Sequence, residues 1–290
     1  MIANENYRKY VIDDLRNHKG LYHPVKAPLF MRIKTINMNP KKLHPNPEDE
    51  FSVEEIGPNW EIVNDYEKSI RLNLEVDLQM FPEPLMVTKL DKGGYMLLNG
   101  HHRWLAALNV QVPRFFKGLG YKIPNVPVKI VNVTGEEDIY KVVNKSSRDK
   151  CVTIDLDEVL LIDDSPKAPF NRIYKINLRE NASLLICELK RMGFDVWVYT
   201  GSYMSAAYIN GLFKVNNCKV DGVVNGINGK TKVVNLRDIF RNKYKHIVHV
   251  DNSTITCVDT KLKDYEIVDI TSDESGWAAA VVEMVKQLNI

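Results

Sequence analysis

Cysteine is scarce, and poorly placed for scaffolding. Cys151, Cys187, Cys218 and Cys257 all fall in the second half, and no two form a CxxC pair. That excludes a dense disulfide framework and points to reduced thiols in a cytoplasmic protein. No apolar run approaches the roughly 18 residues that span a bilayer. The start, Met1-Ile2-Ala3-Asn4-Glu5-Asn6-Tyr7, lacks a basic residue followed by an apolar stretch, so no secretory leader is expected. Charge of one sign is also in short supply: 39 Lys and Arg against 37 Asp and Glu leave +2. Such a balance advertises neither a nucleic-acid nor a membrane surface, although it leaves room for a local patch. No internal repeat and no low-complexity segment is visible. What is present is 290 residues, 44% hydrophobic and 26% charged. That is globular composition, with chain enough for two domains.

The polar stretch Asn144-Lys145-Ser146-Ser147-Arg148-Asp149-Lys150 has no apolar periodicity and marks a linker. It divides the chain into domains 1–145 and 146–290. In the first, the patterns predict a helix over 5–17, a strand over 31–36 and a turn-rich loop at Leu43-His44-Pro45-Asn46-Pro47. A helix capped by Asn59 and running to about 73 follows. Strands at 84–90 and 95–98 flank a Gly93-Gly94 turn. A helix over 104–110, a strand over 126–133 and a helix over 135–144 complete it. In the second, strands at 151–154, 195–199, 246–250 and 265–269 alternate with helices at 182–192, 205–213, 233–243 and 277–288. Such alternation implies parallel βαβ units in a layered α/β sheet, whose ligands bind at the carboxyl ends of the strands.

The sharpest motif is Val152-Thr153-Ile154-Asp155-Leu156-Asp157-Glu158. A β-branched strand runs into Asp-x-Asp, so both carboxylates can face one site and invite a hard divalent cation such as Mg2+. Beside a phosphoryl group, Asp155 suits a nucleophile and Asp157 a proton donor and acceptor. Thr200 ends the next strand, where its hydroxyl can hold a phosphoryl oxygen. Asp251-Asn252 ends another, suiting metal. Lys230 or Lys232, before a helix, can neutralise phosphate charge. Taken in order, this set resembles the haloacid dehalogenase-like (HAD) superfamily over about 150–290. Asp155 and Asp157 match its first motif, Thr200 its second, Lys232 or Lys230 its third and Asp251 its fourth. The resemblance implies Mg2+-dependent phosphoryl transfer through an aspartyl-phosphate on Asp155, with Asp155, Asp157 and Asp251 around the metal. Glu158 stands where many members have Gly, and Asn252 where many have a second acid; Asp259 lies eight residues beyond Asp251. The 45 residues from Asp155 to Thr200 and the 32 from there to Lys232 leave no room for a large cap. Capless members act on macromolecules or borrow a lid, and the first domain offers one.

In the first half, Asn99-Gly100-His101-His102-Arg103 joins a strand to a helix. Gly100 permits close backbone approach, the helix start favours an anion, and Arg103 offers a two-pronged phosphate donor. The plainer alternative is that both His and the Arg merely cap and solvate the turn. With the Pro loop and the Gly-Gly hairpin in this order, residues 31–133 resemble the ParB/sulfiredoxin-like fold. The resemblance implies that Gly100, His101, His102 and Arg103 bind the phosphates of ATP or another nucleotide. His101 stands where sulfiredoxin needs Cys, and Asn99 where the kinase-like branch has Asp. Glu50, Glu54 or Glu55 are the carboxylates that could replace that Asp.

The expected protein is therefore α/β: an N-terminal α+β ParB/sulfiredoxin-like domain plus a C-terminal Rossmann-like HAD domain with a parallel sheet and no large cap. Its expected activity is phosphatase, with Mg2+ and a nucleotide as ligands. Its expected partners are a phosphorylated small molecule or a nucleic-acid end, and no membrane. The rivals are a regulatory protein that binds nucleotide or nucleic acid without turnover, and a bifunctional small-molecule kinase/phosphatase.

Overall fold

In a computed structural model, residues 5–18, 23–75, 80–113, 121–157, 159–161, 178–226, 230–251, 254–257, 266–267 and 276–288 are described. The protein is mixed α/β and divides into two compact units, 1–132 and 133–290. Among the described residues no helix is long and apolar enough to cross a membrane.

The first unit begins with helix α1 (Glu5–Tyr7), a π-helical turn (Arg8–Ile12) and α2 (Asp13–His18). Then come β1 (Pro24–Val25), α3 (Leu29–Arg32), β2 (Ile36–Met38), β3 (Leu43–His44), α4 (Trp60–Glu75), β4 (Leu85–Leu90), β5 (Tyr95–Asn99), α5 (His101–Asn109), β6 (Val112–Pro113), β7 (Tyr121–Lys122) and β8 (Val126–Ile130). Its main sheet runs β2-β8-β4-β5-β3, with β1 also on β4; β6 and β7 pair separately. Asn59 caps α4 as expected, its Oδ1 accepting the N–H of Glu61 at 3.0 Å. Gly93 and Gly94 take φ of +94° and +77° to turn β4 into β5. Two expectations change. The strand over 31–36 is instead the turn of α3 followed by β2. Its alternation was misleading because Ile33 and Ile36 are exposed rather than packed. The helix after Gly100 starts at His101, three residues earlier than expected, because Gly100 in the left-handed region serves as its N-cap.

The second unit runs α6 (Glu136–Val143), β9 (Lys150–Asp155), α7 (Ala182–Arg191), β10 (Phe194–Thr200), α8 (Ala206–Val215), β11 (Gly222–Asn225), α9 (Lys230–Lys243), β12 (His246–Val250), β13 (Thr254–Cys257), β14 (Glu266–Ile267) and α10 (Trp277–Gln287). Its sheet is ordered β11-β10-β9-β12-β13-β14. β9 to β12 are parallel, and β13 and β14 antiparallel. Strand alternation builds two cores. Val152, Ile154, Val196, Val198, Val248 and Val250 pack against α7, α8 and α10. Cys151, Trp197 and Ile247 pack against Ile139 and Val143 of α6 and Phe240 and Tyr244. Helices therefore cover both faces, as a parallel sheet requires.

That packing moves the boundary. The sequence pattern puts a helix over 135–144 in the first domain, beside a linker at 144–150. Its apolar face instead belongs to the second unit. The polar stretch is an internal connection, held by Lys243 Nζ on Ser146 O (2.6 Å) and by the Arg148 guanidinium on Phe194 O. A polar run marks a loop but not the side on which the preceding helix packs. β11 was also missed: four residues, all buried, carry no alternation to read.

Candidate functional site

β9 lies at the centre of its sheet. The chain crosses to one side of it through β10 and β11, then to the other through β12. The crevice where strand order reverses lies beyond the carboxyl ends of β9 and β12. Register fixes what meets there. Tyr199 pairs with Asp155, Thr200 with Asn225, and Val250 with Ile154. Asp155 and Asp251 thus continue neighbouring strands by the same step. They also share a face. Thr153 Oγ1 lies 2.8 Å from His249 Nδ1, and two residues on the same alternation leads to Asp155 and Asp251. Burial pulls the His249 imidazole below its ordinary pKa; Asp251 opposes that shift and Arg237 adds to it.

Asp155, Asp157 and Asp251 are all half-buried. The Leu156 N–H donates to Asp155 Oδ1 at 2.9 Å, turning that carboxylate back over the strand end. Thr200 is buried, and its Oγ1 donates to Asp157 Oδ2 at 2.6 Å. It also accepts the Ser202 N–H at 2.9 Å. The sequence thus brings Asp157 and Thr200 together across 43 positions. The Thr200 proton, expected on a phosphoryl oxygen, here holds Asp157 as a carboxylate acceptor.

Mg2+ takes oxygen ligands of this kind, and the β9–β12 register sets two carboxylates side by side. The donor chemistry and strand placement fit. Among the described residues, however, no group of three or more His, Cys, Asp or Glu is gathered closely enough to hold a metal ion. Asp155, Asp157 and Asp251 are neighbours in the fold without forming a closed ligand triad. Lys230 and Lys232 fall on the first turn of α9, with side chains outside the described residues, as are Glu158, Asn252 and Asp259.

The residues that sequence reasoning missed are those that hold the Thr200 loop. Asn225, buried at the end of β11, donates from Nδ2 to Met204 O at 2.6 Å. Its Oδ1 accepts both the Thr134 hydroxyl (2.6 Å) and the Thr134 N–H (2.9 Å). The Gly226 N–H donates to Ser202 O at 3.0 Å. Asparagine after a valine pair was a readable signal only once that strand was recognised.

The turn before α5 is built differently. Gly100 sits at φ +97°, and a Cβ there would lie 2.6 Å from Leu85 Cδ2 and 3.1 Å from Arg103 Nη2. His101 is buried against Phe51, with Nδ1 3.3 Å from Asp49 Oδ2 and Nε2 facing the Asn46 N–H at 3.4 Å. Burial lowers its pKa to about 4, more than the Asp49 carboxylate can offset. His102 Nε2 accepts the Asn59 N–H at 3.0 Å, and burial lowers its pKa as well. Arg103 is buried over Phe81 and donates from Nη1 to Glu83 O at 2.6 Å. No side chain caps the helix start. The two imidazoles therefore fasten the Pro loop and the start of α4 to α5. The Nε–Nη2 side of Arg103 faces Gly100, which caps α5 without a side-chain bond.

Comparison with protein-family models, curated proteins and solved structures finds no match to this chain.

Proposed function

We propose that the second unit is a Mg2+-dependent phosphatase of the type its motifs resemble, and that the first unit binds a nucleotide at the start of α5. The observation that carries the first reading is the meeting of Asp155, Asp157 and Thr200 at the carboxyl edge of a parallel sheet. The Thr200–Asp157 bond of 2.6 Å is its tightest link. A carboxylate whose oxygen accepts one hydroxyl proton keeps its other oxygen for substrate.

In this reading an Asp155 oxygen attacks phosphorus as the ester P–O bond breaks. Asp157 enters the step carrying a proton on the oxygen that Thr200 does not hold, and gives it to the departing oxygen. The resulting carboxylate takes a proton from water, whose oxygen attacks the aspartyl-phosphate, releasing phosphate and restoring Asp155. Thr200 orients Asp157 in both steps, and Asn225 keeps the Thr200 loop at the strand edge. Mg2+, when bound by Asp155, Asp157 and Asp251, offsets the negative charge that gathers there. The substrate class is a phosphate monoester, on a small molecule or a nucleic-acid end. Turnover of an aryl phosphate by the full chain, with Mg2+ added or chelated, tests the reading. Metal-dependent hydrolysis that Asp155→Asn abolishes is the expected result, and undiminished hydrolysis by that variant overturns it.

A second reading, ligand binding without turnover, draws on the open carboxylate arrangement and on Asn99 at the first unit's turn. It predicts nucleotide binding by the first unit and no hydrolysis of any ester by the second.

A further inference from the structure

The first unit carries a face on which apolar and cationic side chains project together. Leu29 and Phe30 of α3 and Ile33 just after it are 66%, 75% and 59% exposed, and Ile36 opens the edge strand β2. Lys34 follows Ile33, half-buried Arg32 donates from Nε to Ala27 O at 3.1 Å, and Lys129 of β8 reaches the same turn, donating to Ile33 O at 3.1 Å. Negative charge is missing from the segments that build this face. No Asp or Glu occurs between Asp14 and Glu48, where there are seven Lys and Arg. None occurs between Asp91 and Glu136, the stretch that holds β8 and Lys129. Asp91 itself adjoins the far end of the segment, its N–H on His23 O. The net charge of +2, which argued against a membrane surface, averages over this asymmetry.

We propose that this face docks the protein peripherally on an anionic lipid surface. Outward Leu, Phe and Ile side chains enter the headgroup layer, while Arg32, Lys34 and Lys129 meet lipid phosphates and carboxylates. A second copy of the chain is a poorer occupant, because a symmetric contact would set these cations against themselves. Nucleic acid is poorer too, since its phosphates give three aliphatic side chains nothing to pack on. The proposal does not depend on either catalytic reading.

Flotation of the full chain with vesicles tests it, using phosphatidylcholine alone and phosphatidylcholine with about 30% phosphatidylserine. Wild type floats with the anionic vesicles at low salt, not with the neutral ones, and is released as salt rises. The Leu29→Ser/Phe30→Ser double variant and the Lys34→Glu/Lys129→Glu double variant each lose at least tenfold in bound fraction. Matched thermal melts show that these substitutions leave the fold intact. No flotation, equal flotation on neutral lipid, or flotation unchanged in both variants overturns the proposal. So does a wild-type dimer in sedimentation that Phe30→Ser dissolves, or DNA or RNA binding that displaces the protein from vesicles and is lost in the same variants.

Discussion

The two polar turns of this protein each follow a strand, β9 and β5, and differ in what their polar atoms do. At the end of β9 the carboxylates are half-buried and linked to one another's neighbours: Thr200 to Asp157, Ser202 to Thr200, Leu156 to Asp155. At the start of α5 both His side chains are consumed by the loops around them, through Asn46, Asp49 and Asn59. The first arrangement sets these groups at the carboxyl edge of the sheet and, among the described residues, holds Asp157 through one oxygen. The second spends both nitrogens of His101 and Nε2 of His102 on architecture and leaves one guanidinium edge beside Gly100. A cluster of chemically able residues is thus a site only to the extent that the fold leaves its polar atoms unspent.

The largest expected effect sharpens the first half of that contrast. Asp155→Asn removes the proposed nucleophile while keeping its shape, so metal-dependent hydrolysis should fall by roughly a thousandfold or more, with the thermal melt unchanged. A steady-state assay beside a melt decides it.

A structural role for His101 makes the opposite prediction at the other turn, one of stability rather than activity. Its folded pKa of about 4 lies below the ordinary 6.5. Protonation therefore favours the unfolded chain. The stability it contributes is whole above about pH 6.5 and drains away as pH falls toward 4. Each unit of difference is about 1.4 kcal/mol, which makes the full loss on the order of 3 kcal/mol. Urea melts at pH 7, 5.5 and 4 should show this slope in wild type and a shallower one in His101→Gln. Equal slopes would break the comparison, by showing that the imidazole is not held neutral.

Thr200 offers a graded test. Thr200→Val keeps the volume and removes the proton on Asp157, so turnover should drop by roughly 10–100-fold, with a shift in the basic limb of the pH–rate profile. Thr200→Ser should recover most of it. A purely structural Thr200 would instead lower the melt and leave that limb in place.

The smallest effect concerns the guanidinium edge. If an anion is held beside Gly100, Arg103→Ala should weaken ATP binding by roughly tenfold, as loss of one charge-assisted contact implies. The Arg103 bond to Glu83 O makes a folding check necessary, and Arg103→Lys supplies it by keeping charge without the fork. Calorimetry that finds no ATP binding to wild type would leave the α5 turn wholly architectural.

Much of the layering was readable in advance. Alternating strands and helices after Lys150 announced a parallel sheet because both codes, period 2 and period 3.6, are local. The helices at 182–191 and 277–287 and the β4–β5 hairpin were equally plain, each bounded by its own turn or cap. What failed was short or exposed. β11 buries all four residues and so shows no period. The alternation at 31–36 was real but faced water. The helix at 136–143 was found but given to the wrong unit, since an apolar face does not name its partner.

The candidate site divides the same way. Asp155, Asp157, Thr200 and Asp251 could be picked out because each follows a β-rich run, and the end of a parallel strand is a local feature. That Thr200 would give its proton to Asp157, and that Asn225 and Thr134 would anchor the loop between, depended on contacts spanning 21 to 91 residues. The sequence by itself determined which residues end strands and which begin helices, because those choices rest on near neighbours. Only the tertiary structure decided which polar atoms stay available. Hydrogen-bond partners are chosen by distance and desolvation, and both are set by segments remote in the chain.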